Sequence, residues 1–346
     1  MTTLASTSAA PATAKQTWWD SRVMRRFRRN TLALVGLSIV VVFFLVAIFA
    51  PLLATPKGNC LRDLQVPEGS SVYNPAGPLF WKAIFIPPET CYLTFRPDVN
   101  LGAPQPPGTI ITVDGQSYTM VVGKVAGYDV WYALIWGTRL AFQLAFSVTL
   151  LTTVIGIVIG AISGYFGGWI DNVIMRFIDV IYAIPNFILT VVLVALLGAS
   201  LPTLIIAFTV VGWAGIARVL RGDILKVRQL EFIDGARAIG AGNARIIFKH
   251  VLPNALSTLI VVVVLSLGAV PLGVAGLSFI GLGLPNGYAD WGQAFAFARL
   301  FLKGPEGNPF AYWYTTFFPA LTIILWGVGW NLLGDAVRDA IDPRER

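Results

Sequence analysis

The stretch EFIDGARAIGAGNARIIFKHVLP, from Glu231 to Pro253, is a polar and basic island between two hydrophobic segments that are each long enough to cross a bilayer. It carries Arg237, Arg245 and Lys249, and the excess of positive charge on cytoplasmic loops predicts that it lies in the cytoplasm. A chain built around such a loop is an integral membrane protein with hydrophobic spans on both sides of it.

Apolar residues recur in this stretch at the spacing of a helix face, at Phe232, Ala236, Ile239, Ile246, Ile247 and Val251. We predict two short helices separated by Gly240-Ala241-Gly242, with Asn243 as the N-cap of the second. The apolar faces of these helices need a cover, and two covers remain open. One is the chain's own membrane helices, and the other is a groove on a soluble partner.

The composition supports the same class of protein. The chain has 346 residues, of which 56% are hydrophobic and 12% charged, and its mean hydropathy is +0.71. A soluble domain of this length carries more charge. The net charge of +7 is explained by basic cytoplasmic flanks, and no interleaving of basic and aromatic residues indicates nucleic-acid binding.

Hydropathy divides the chain into six spans joined by external and cytoplasmic segments. The predicted spans are 32–53, 140–164, 170–197, 201–220, 255–283 and 314–333. The segments between them are a cytoplasmic tail at 1–31, an external insertion at 54–139, a cytoplasmic loop at 221–254, an external loop at 284–313 and a cytoplasmic tail at 334–346. We expect Pro185 to kink the third span, and Trp291 and Trp313 to anchor the second external loop at the membrane interface.

A run of arginines precedes the first span, at Arg22, Arg25, Arg26, Arg28 and Arg29. Two roles are open for this run: holding the N-terminus in the cytoplasm, or forming a specific site for anionic lipid. The apolar run that follows is longer than an ordinary signal-peptide core, so we expect the first span to remain uncleaved.

The external insertion is rich in proline and glycine and is too long for a simple connection. Residues 110–113, Asp114-Gly115 and residues 116–122 predict a β-hairpin with a primed turn. Cys60 and Cys91 lie in this insertion, and outside the cell they could form a disulfide; two unrelated buried thiols remain the alternative. The insertion could contact a delivery protein, cap the pore or act as a structural collar.

Charged and small residues predict contacts between the spans. Asp171, Arg176 and Asp179 are costly in lipid at the start of the third span, and we expect them either to pair, for which Arg176 is close enough to both aspartates along the helix, or to face the membrane interface. Glycines recur at every fourth position and predict close packing of the second span, within its own bundle or against a second subunit; they are Gly156, Gly160, Gly164 and Gly168.

The residues needed for catalysis are missing from this sequence. It has no phosphate-cradling Walker A motif, and the lone His250 can complete neither a metal site nor a catalytic triad, so we expect no enzymatic activity and no bound metal. Four polar residues within or beside the spans are candidates for lining a translocation path, although interhelical hydrogen bonding explains them equally well; they are Gln143, Ser147, Asn186 and Asn254.

The stretch from Glu231 to Pro253 resembles the EAA loop of bacterial ABC importer permeases, whose pattern is approximately E-A-A-x3-G-x9-I-x-L-P. Here the pattern stands as Asp234-Gly235-Ala236, Gly240 and Leu252-Pro253, and His250 in the isoleucine position is similar to the peptide-transporter branch. Asp234 replaces the glutamate, and Gly235 replaces an alanine.

Further motifs resemble the DppC/OppC-type subunit of the dipeptide/oligopeptide/nickel permease family. They are Gly164 to Pro185, Leu277 to Gly283, Trp291-Gly292, Phe318-Pro319 and the tail from Asn331 to Arg344. The resemblance covers about Tyr128 to Arg344 and, more weakly, the first span.

The resemblance implies an all-α integral membrane fold, a type I ABC importer permease of six transmembrane helices, here with a long external loop that contains a small β-hairpin. It implies a second permease of the DppB/OppB type, two ATPase subunits of the DppD/DppF type or equivalent, an extracytoplasmic peptide-binding protein and membrane lipid as partners. ATP and Mg²⁺ would bind to the ATPase subunits, and this chain would bind no cofactor. The chain would lie in the bacterial inner membrane with both termini in the cytoplasm.

The function implied is the import of dipeptides or oligopeptides. ATPase coupling is assigned to Phe232, Asp234, Gly235, Ala236, Arg237, Ile239, Gly240 and Pro253. Two alternatives remain: an importer of nickel or another small solute, and, from a different class, an ATP-independent channel or secondary transporter.

Overall fold

The computed structural model describes residues 22–54, 103–113, 116–126, 128–285, 288–305, 308 and 310–341. Cys60, Cys91 and most of the predicted external insertion lie outside the described residues, so the disulfide stays a prediction. Asp114-Gly115, the predicted hairpin turn, also lies outside them.

The chain enters the described structure through two helices that meet at Asn30. Helix α1 spans Arg22–Arg29, and α2 spans Thr31–Leu53. Asn30 separates them because its extended backbone breaks the helix, while its side chain accepts hydrogen bonds from the amides of Leu32 and Ala33 at 3.0 and 3.2 Å.

Two small antiparallel hairpins precede the second span. Strands β1 (Ile110–Val113) and β2 (Gln116–Thr119) pair with Ile110 opposite Thr119, which confirms the predicted hairpin. Strands β3 (Lys124–Val125) and β4 (Tyr128–Asp129) form a second, shorter hairpin that runs directly into the next helix.

The second and third spans follow from this point. Helix α3 covers Val130–Phe166 and begins ten residues before the predicted span, because the Asp129 side chain caps it by accepting from the Trp131 amide at 2.9 Å. Helices α4 (Gly168–Tyr182) and α5 (Asn186–Leu197) are bent by 79° relative to each other. The predicted kink at Pro185 is therefore a full break of the helix.

The remaining helices complete the bundle. They are α6 (Leu201–Val227), α7 (Glu231–Ala238), α8 (Asn243–Ile246), a π-helical turn (Ile247–Val251), α9 (Leu252–Phe279), α10 (Trp291–Ala298), a 3₁₀ turn (Arg299–Phe301) and α11 (Trp313–Ile341). Among the described residues, five continuous helical segments are long and apolar enough to span a membrane, and six spans result if the bent pair α4–α5 counts as one.

Glycines allow α3 and α6 to pack along much of their length. A Cβ on Gly156 would lie 2.5 Å from Ile216, and one on Gly160 would lie 2.7 Å from the carbonyl oxygen of Ala217. These contacts confirm that the stripe packs within the chain's own bundle. Gly168 does not belong to the stripe, because it is the first residue of α4 and has open space around it.

An aromatic core joins α2, α3, α10 and α11. Trp326 is fully buried, and its ring lies 4.9 Å from that of Phe142 and 5.6 Å from that of Trp291. Trp291 is itself buried and donates a hydrogen bond from Nε1 to the carbonyl of Leu134 at 3.0 Å. The interpretation of Trp291 as an interfacial anchor is therefore wrong, whereas Trp313 is about half exposed.

The buried guanidinium of Arg139 ties the end of α2 to α3. Pro51 lacks an amide hydrogen, so the helix leaves the carbonyl of Ala47 without its usual donor. Arg139 Nε donates to that carbonyl at 2.6 Å, and Nη2 donates to the carbonyl of Ile48 at 3.2 Å. A buried charge is tolerated here because two backbone carbonyls accept its N–H groups, and the proline leaves one of these carbonyls, that of Ala47, without a helical donor.

Candidate coupling site

The segment from Glu231 to Pro253, here called the coupling segment, lies at one end of the bundle between α6 and α9. Its first helix, α7, carries an ion pair between Arg237 Nη1 and Asp234 Oδ1 at 3.0 Å, one helical turn apart. Gly235 has no atom within 4 Å of the position of a Cβ, so packing in the isolated chain does not require glycine there.

Gly240 ends α7 in a conformation that favours glycine. Its φ is +81°, in the left-handed region, and the amides of Gly240 and Ala241 bond to the carbonyls of Arg237 and Ala236 at 2.9 and 3.0 Å. This closure turns the chain from α7 toward α8. The backbone conformation alone therefore explains why the motif has glycine at position 240, without reference to any partner.

The second half of the coupling segment merges into α9 through a widened turn. The amide of Leu252 bonds to the carbonyl of Ile247, five residues back, immediately before Pro253. Because Pro253 lacks an amide hydrogen, it cannot donate to the carbonyl four residues back, and the π-helical turn lets the helix continue through this position.

The prediction that Asn243 caps α8 is wrong. Gly242 occupies the cap position without a side-chain hydrogen bond, and Asn243 is the first residue of the helix. Its Oδ1 instead accepts a hydrogen bond from the hydroxyl of Tyr165, at the end of α3, at 2.9 Å.

The inner face of the coupling segment packs on the chain's own helices. Ile233, Ile246 and Val251 are fully buried in a cluster that includes Leu220 and Ile224 of α6. Ala236, 8% exposed, belongs to the same cluster. Of the two covers left open for the apolar face, Ala236 therefore has its own bundle in this structure.

The outer side of the coupling segment is apolar and exposed. Ile239 is 86% exposed, Phe248 is 71% exposed and Phe232 is 45% exposed. Ile239 and Phe232 were predicted from the sequence, and Phe248 was not. Phe248 lies two residues after the buried Ile246 and therefore on a different side of the helix. This spacing is the sequence signal that could have identified Phe248 as an exposed apolar residue.

Tyr165 connects the end of α3 to both parts of the coupling segment. Besides its hydrogen bond to Asn243, its ring lies 6.0 Å from the guanidinium carbon of Arg237. Arg228 Nη1 donates to the carbonyls of Gly164 and Tyr165 at 3.0 and 3.1 Å and so holds the same turn. Nothing in the spacing of these residues predicts these contacts.

Ion pairs fasten α4 to α6 beside the coupling segment. Asp171 accepts hydrogen bonds from Arg221, whose Nε lies 2.5 Å from Oδ1, and from the hydroxyl of Ser163. Asp179 pairs with Arg218 at 2.6 Å. The expected pairing along the helix through Arg176 is therefore wrong, because both carboxylates reach across to the neighbouring helix.

Within the described part of the chain, no hydrogen bond joins any two of the four candidate path residues. Gln143 and Ser147 are half-buried on α3, and Asn186 is exposed at the start of α5. Asn254 is exposed, and its Nδ2 donates to the carbonyl of His250 at 2.6 Å. Their role in a path stays a prediction.

Comparison with known protein families gives two matches. Residues 156–346 match the family described as binding-protein-dependent transport system inner membrane component. Residues 17–67 match the N-terminal TM domain of oligopeptide transport permease C. Together these matches include the coupling segment, α1 and α2.

Two relatives match nearly the whole chain. The dipeptide transport system permease protein DppC of Alkalihalophilus pseudofirmus is 32% identical over 96% of this chain and 91% of its own length. The oligopeptide transport system permease protein OppC of Bacillus subtilis is 31% identical over 95% of this chain and 90% of its own length. A solved structure of the MetNI methionine ABC transporter aligns at 21% identity and a TM-score of 0.46, covering 61% of this chain and 97% of that chain.

Proposed function

The chain belongs to the family of binding-protein-dependent transport system inner membrane components, and we propose that it forms half of the translocation path of a peptide importer. It is a multi-pass membrane protein and a transport subunit, not an enzyme. The observation that carries the proposed coupling role is the division of the coupling segment into a buried inner face and an exposed apolar outer side.

Peptides are the proposed substrate class. Relatives that cover at least nine-tenths of this chain are named as dipeptide and oligopeptide permeases. An ATP-independent transporter would need an ionisable relay within the membrane. In the described part of the chain, the candidate carboxylates Asp171 and Asp179 are each paired with an arginine, which favours an externally driven mechanism.

The proposed partners are a second permease of the DppB/OppB type, two ATPase subunits of the DppD/DppF type or equivalent, and an extracytoplasmic peptide-binding protein. ATP and Mg²⁺ would bind to the ATPase subunits, and this chain would bind neither. Both termini and the coupling segment would lie in the cytoplasm, in accord with their basic residues.

Motion would reach the bundle through the inner face of the coupling segment. Ile233 and Ile246 share one buried cluster with residues of α3, α6 and α9, so a displacement of the segment is transmitted to those helices and not absorbed in a loose loop. The Asp171–Arg221 pair then carries α4 with α6. ATP drives the cycle only if the ATPase contacts differ between its nucleotide states.

The double substitution Ile239→Asp and Phe248→Asp tests this proposal. Two charges on the exposed apolar side should weaken ATPase binding by about a thousandfold, because buried apolar anchors at an interface contribute about 2 kcal/mol each. The measurements are copurification of the ATPase subunits and peptide uptake into proteoliposomes. The matched control is Leu300→Asp, which adds a charge to a residue that is 63% exposed in the 3₁₀ turn after α10, away from the coupling segment.

Both variants should keep the thermal stability of the membrane bundle, since the altered residues are exposed. Wild-type ATPase binding by the double variant would refute docking through this side of the segment. Retention of a solute other than peptide by the cognate binding protein would refute the substrate class while leaving the coupling role intact.

A further inference from the structure

Helix α1 is a short, strongly basic helix that is separate from the first span. Its sequence RVMRRFRR contains five arginines among eight residues. Among its described side chains, Arg25, Arg28 and Arg29 are exposed, whereas Met24 and Phe27, three residues apart, are partly buried. The helix therefore has an apolar side toward the protein and a cationic side away from it.

The direction of α1 is set by contacts with the last helix. Helix α1 packs against α11, and Asn30 Nδ2 donates to Asp339 Oδ2 of α11 at 3.4 Å. The break at Asn30 prevents α1 from continuing the axis of α2. The basic helix is thus held at the end of the bundle.

The neighbouring residues indicate the depth of α1 in the membrane. Leu32 is 61% exposed, and Leu34 and Val35 are also exposed on the first turn of α2, as expected for side chains that face lipid. Arg29 precedes Leu32 by three residues, so its Cα lies within about 11 Å of the Cα of Leu32 even across the break at Asn30. The guanidinium groups therefore lie at the level of the lipid headgroups.

We propose that α1 is a binding site for anionic phospholipid headgroups of the cytoplasmic leaflet. Within the described residues, Arg25 and Arg29 have no carboxylate in salt-bridge range, so their charge is available to phosphate oxygens. The lipid-facing leucine beside them favours a membrane ligand over an acidic protein. This inference rests on the cytoplasmic orientation in the proposed function.

Lipid bound to α1 would restrict the movement of the first and last spans. Because α1 contacts α11 and adjoins α2, bound lipid would fasten the first and last spans to the inner surface of the membrane. The coupling segment, which contacts α3, α6 and α9, is left out of this anchor. The anchored pair would form a fixed frame against which the other helices move.

The experiment is a lipid titration of the purified full transporter, followed by native mass spectrometry. Short-chain phosphatidylglycerol is compared with phosphatidylcholine, for the wild type and for the Arg25→Gln/Arg29→Gln double variant. Each arginine near an anionic surface changes binding by about fivefold, so the double variant should lose about 25-fold in affinity for phosphatidylglycerol only. Arg25→Lys/Arg29→Lys should retain most of the affinity.

The matched control is Lys226→Gln/Lys303→Gln, which removes two exposed positive charges elsewhere and should bind phosphatidylglycerol like the wild type. Glycerol phosphate, added as a soluble competitor, separates a headgroup site from a free-phosphate site. Phosphatidylglycerol should displace glycerol phosphate, whereas equal binding of the two would show that the site recognises a free phosphate and does not require the acyl chains of a lipid. Increasing the salt concentration should weaken the wild-type preference.

Unchanged phosphatidylglycerol binding by the Arg25→Gln/Arg29→Gln variant would overturn the proposal. Loss of ATPase copurification by the same variant without a change in lipid binding would assign α1 to a protein partner instead. An N-terminal tag that is protease-accessible from outside intact cells would refute the orientation, and with it the proposed function. Normal ATPase coupling with no lipid preference would refute the lipid site alone.

Discussion

Asp171 shows how one carboxylate can hold three helices at the end of the bundle. It lies on α4, it is nearly buried, and it accepts from Ser163 of α3 and from the Nε and Nη2 groups of Arg221 of α6. Such a bidentate pair is stronger and more directional than a single-point contact. Because Asp171 is paired with Arg221 and Ser163, it is a structural contact that holds the helices beside the coupling segment together, and not part of an ion pathway.

We expect Arg221→Ala to lower the free energy of unfolding by about 2–3 kcal/mol, because it leaves Asp171 with a single hydroxyl donor. The matched variant Arg218→Ala breaks the more exposed Arg218–Asp179 pair and should cost less than about 1 kcal/mol. Thermal unfolding in one detergent measures both. Equal losses of stability in the two variants would contradict the structural role assigned to the Asp171–Arg221 pair.

Asp290 is a buried carboxyl in the connection between α9 and α10. It caps α10 by accepting from the Gly292 amide at 3.0 Å, and burial raises its pKa above the ordinary value in spite of that bond. A raised pKa means that the folded state holds the proton more tightly than the unfolded state. The contribution to stability is therefore complete below the unfolded pKa of about 4 and declines as the pH rises through the folded pKa.

The Asp290→Asn variant should remove this pH dependence, because asparagine is an equally good helix cap and carries no charge. The variant should match the wild type near pH 4 and exceed it in thermal stability at neutral pH. Melting temperatures across that pH range are the measurement. Parallel curves for the two proteins would show that Asp290 does not titrate with folding.

At the scale of single elements, close approach and chain breaks determine the arrangement of the helices. The glycine stripe of α3 admits the backbone of α6, whereas the break around Pro185 separates α4 from α5. Helix α5 buries only Thr190 and Val194 within the described structure. Its apolar exposed sides therefore face lipid or another subunit.

Replacing Gly160 with leucine should separate α3 from α6, since even a Cβ would lie 2.7 Å from the carbonyl oxygen of Ala217. We expect a loss of about 1–3 kcal/mol from overpacking against backbone that cannot rotate away. Gly222→Ala is the matched control, because that helical glycine has open space and alanine there should stabilise by up to about 1 kcal/mol. Unfolding by denaturant compares the two; an undamaged Gly160→Leu protein would contradict the close contact.

At the scale of the whole molecule, the two ends of the bundle differ in chemistry. One end carries α1, the coupling segment and the arginine–aspartate pairs. The other carries the small hairpins and α10. The excess of arginine at the first end is the physical basis for placing it in the cytoplasm.

This orientation predicts a labelling pattern in intact cells. In a Cys60→Ser/Cys91→Ser background, the Lys303→Cys variant should react with a membrane-impermeant maleimide, because Lys303 is exposed beyond α10. The Lys249→Cys variant, exposed in the coupling segment, should react only after permeabilisation. Reaction of the Lys249→Cys variant in intact cells would place the coupling segment outside and refute the proposed mechanism.

The amino-acid sequence by itself determined the features that depend on local composition. Hydropathy identified the apolar stretches, alternation and turn residues identified the hairpin at residues 110–119, and the motif residues located the coupling segment. The sequence also predicted the helix break at Gly240, because a helix that ends in the left-handed region favours glycine whatever surrounds it. These features are encoded within a few residues of chain.

Only the tertiary structure decided which side of each element is covered and which charges meet. Ala236 and Phe248 are both apolar, but Ala236 is buried in a cluster with distant helices of the bundle while Phe248 remains exposed. Asp171 finds Arg221 fifty residues away instead of Arg176 on its own helix. A helical period specifies that an apolar side exists, whereas its neighbour is chosen by the packing of helices that are distant in sequence.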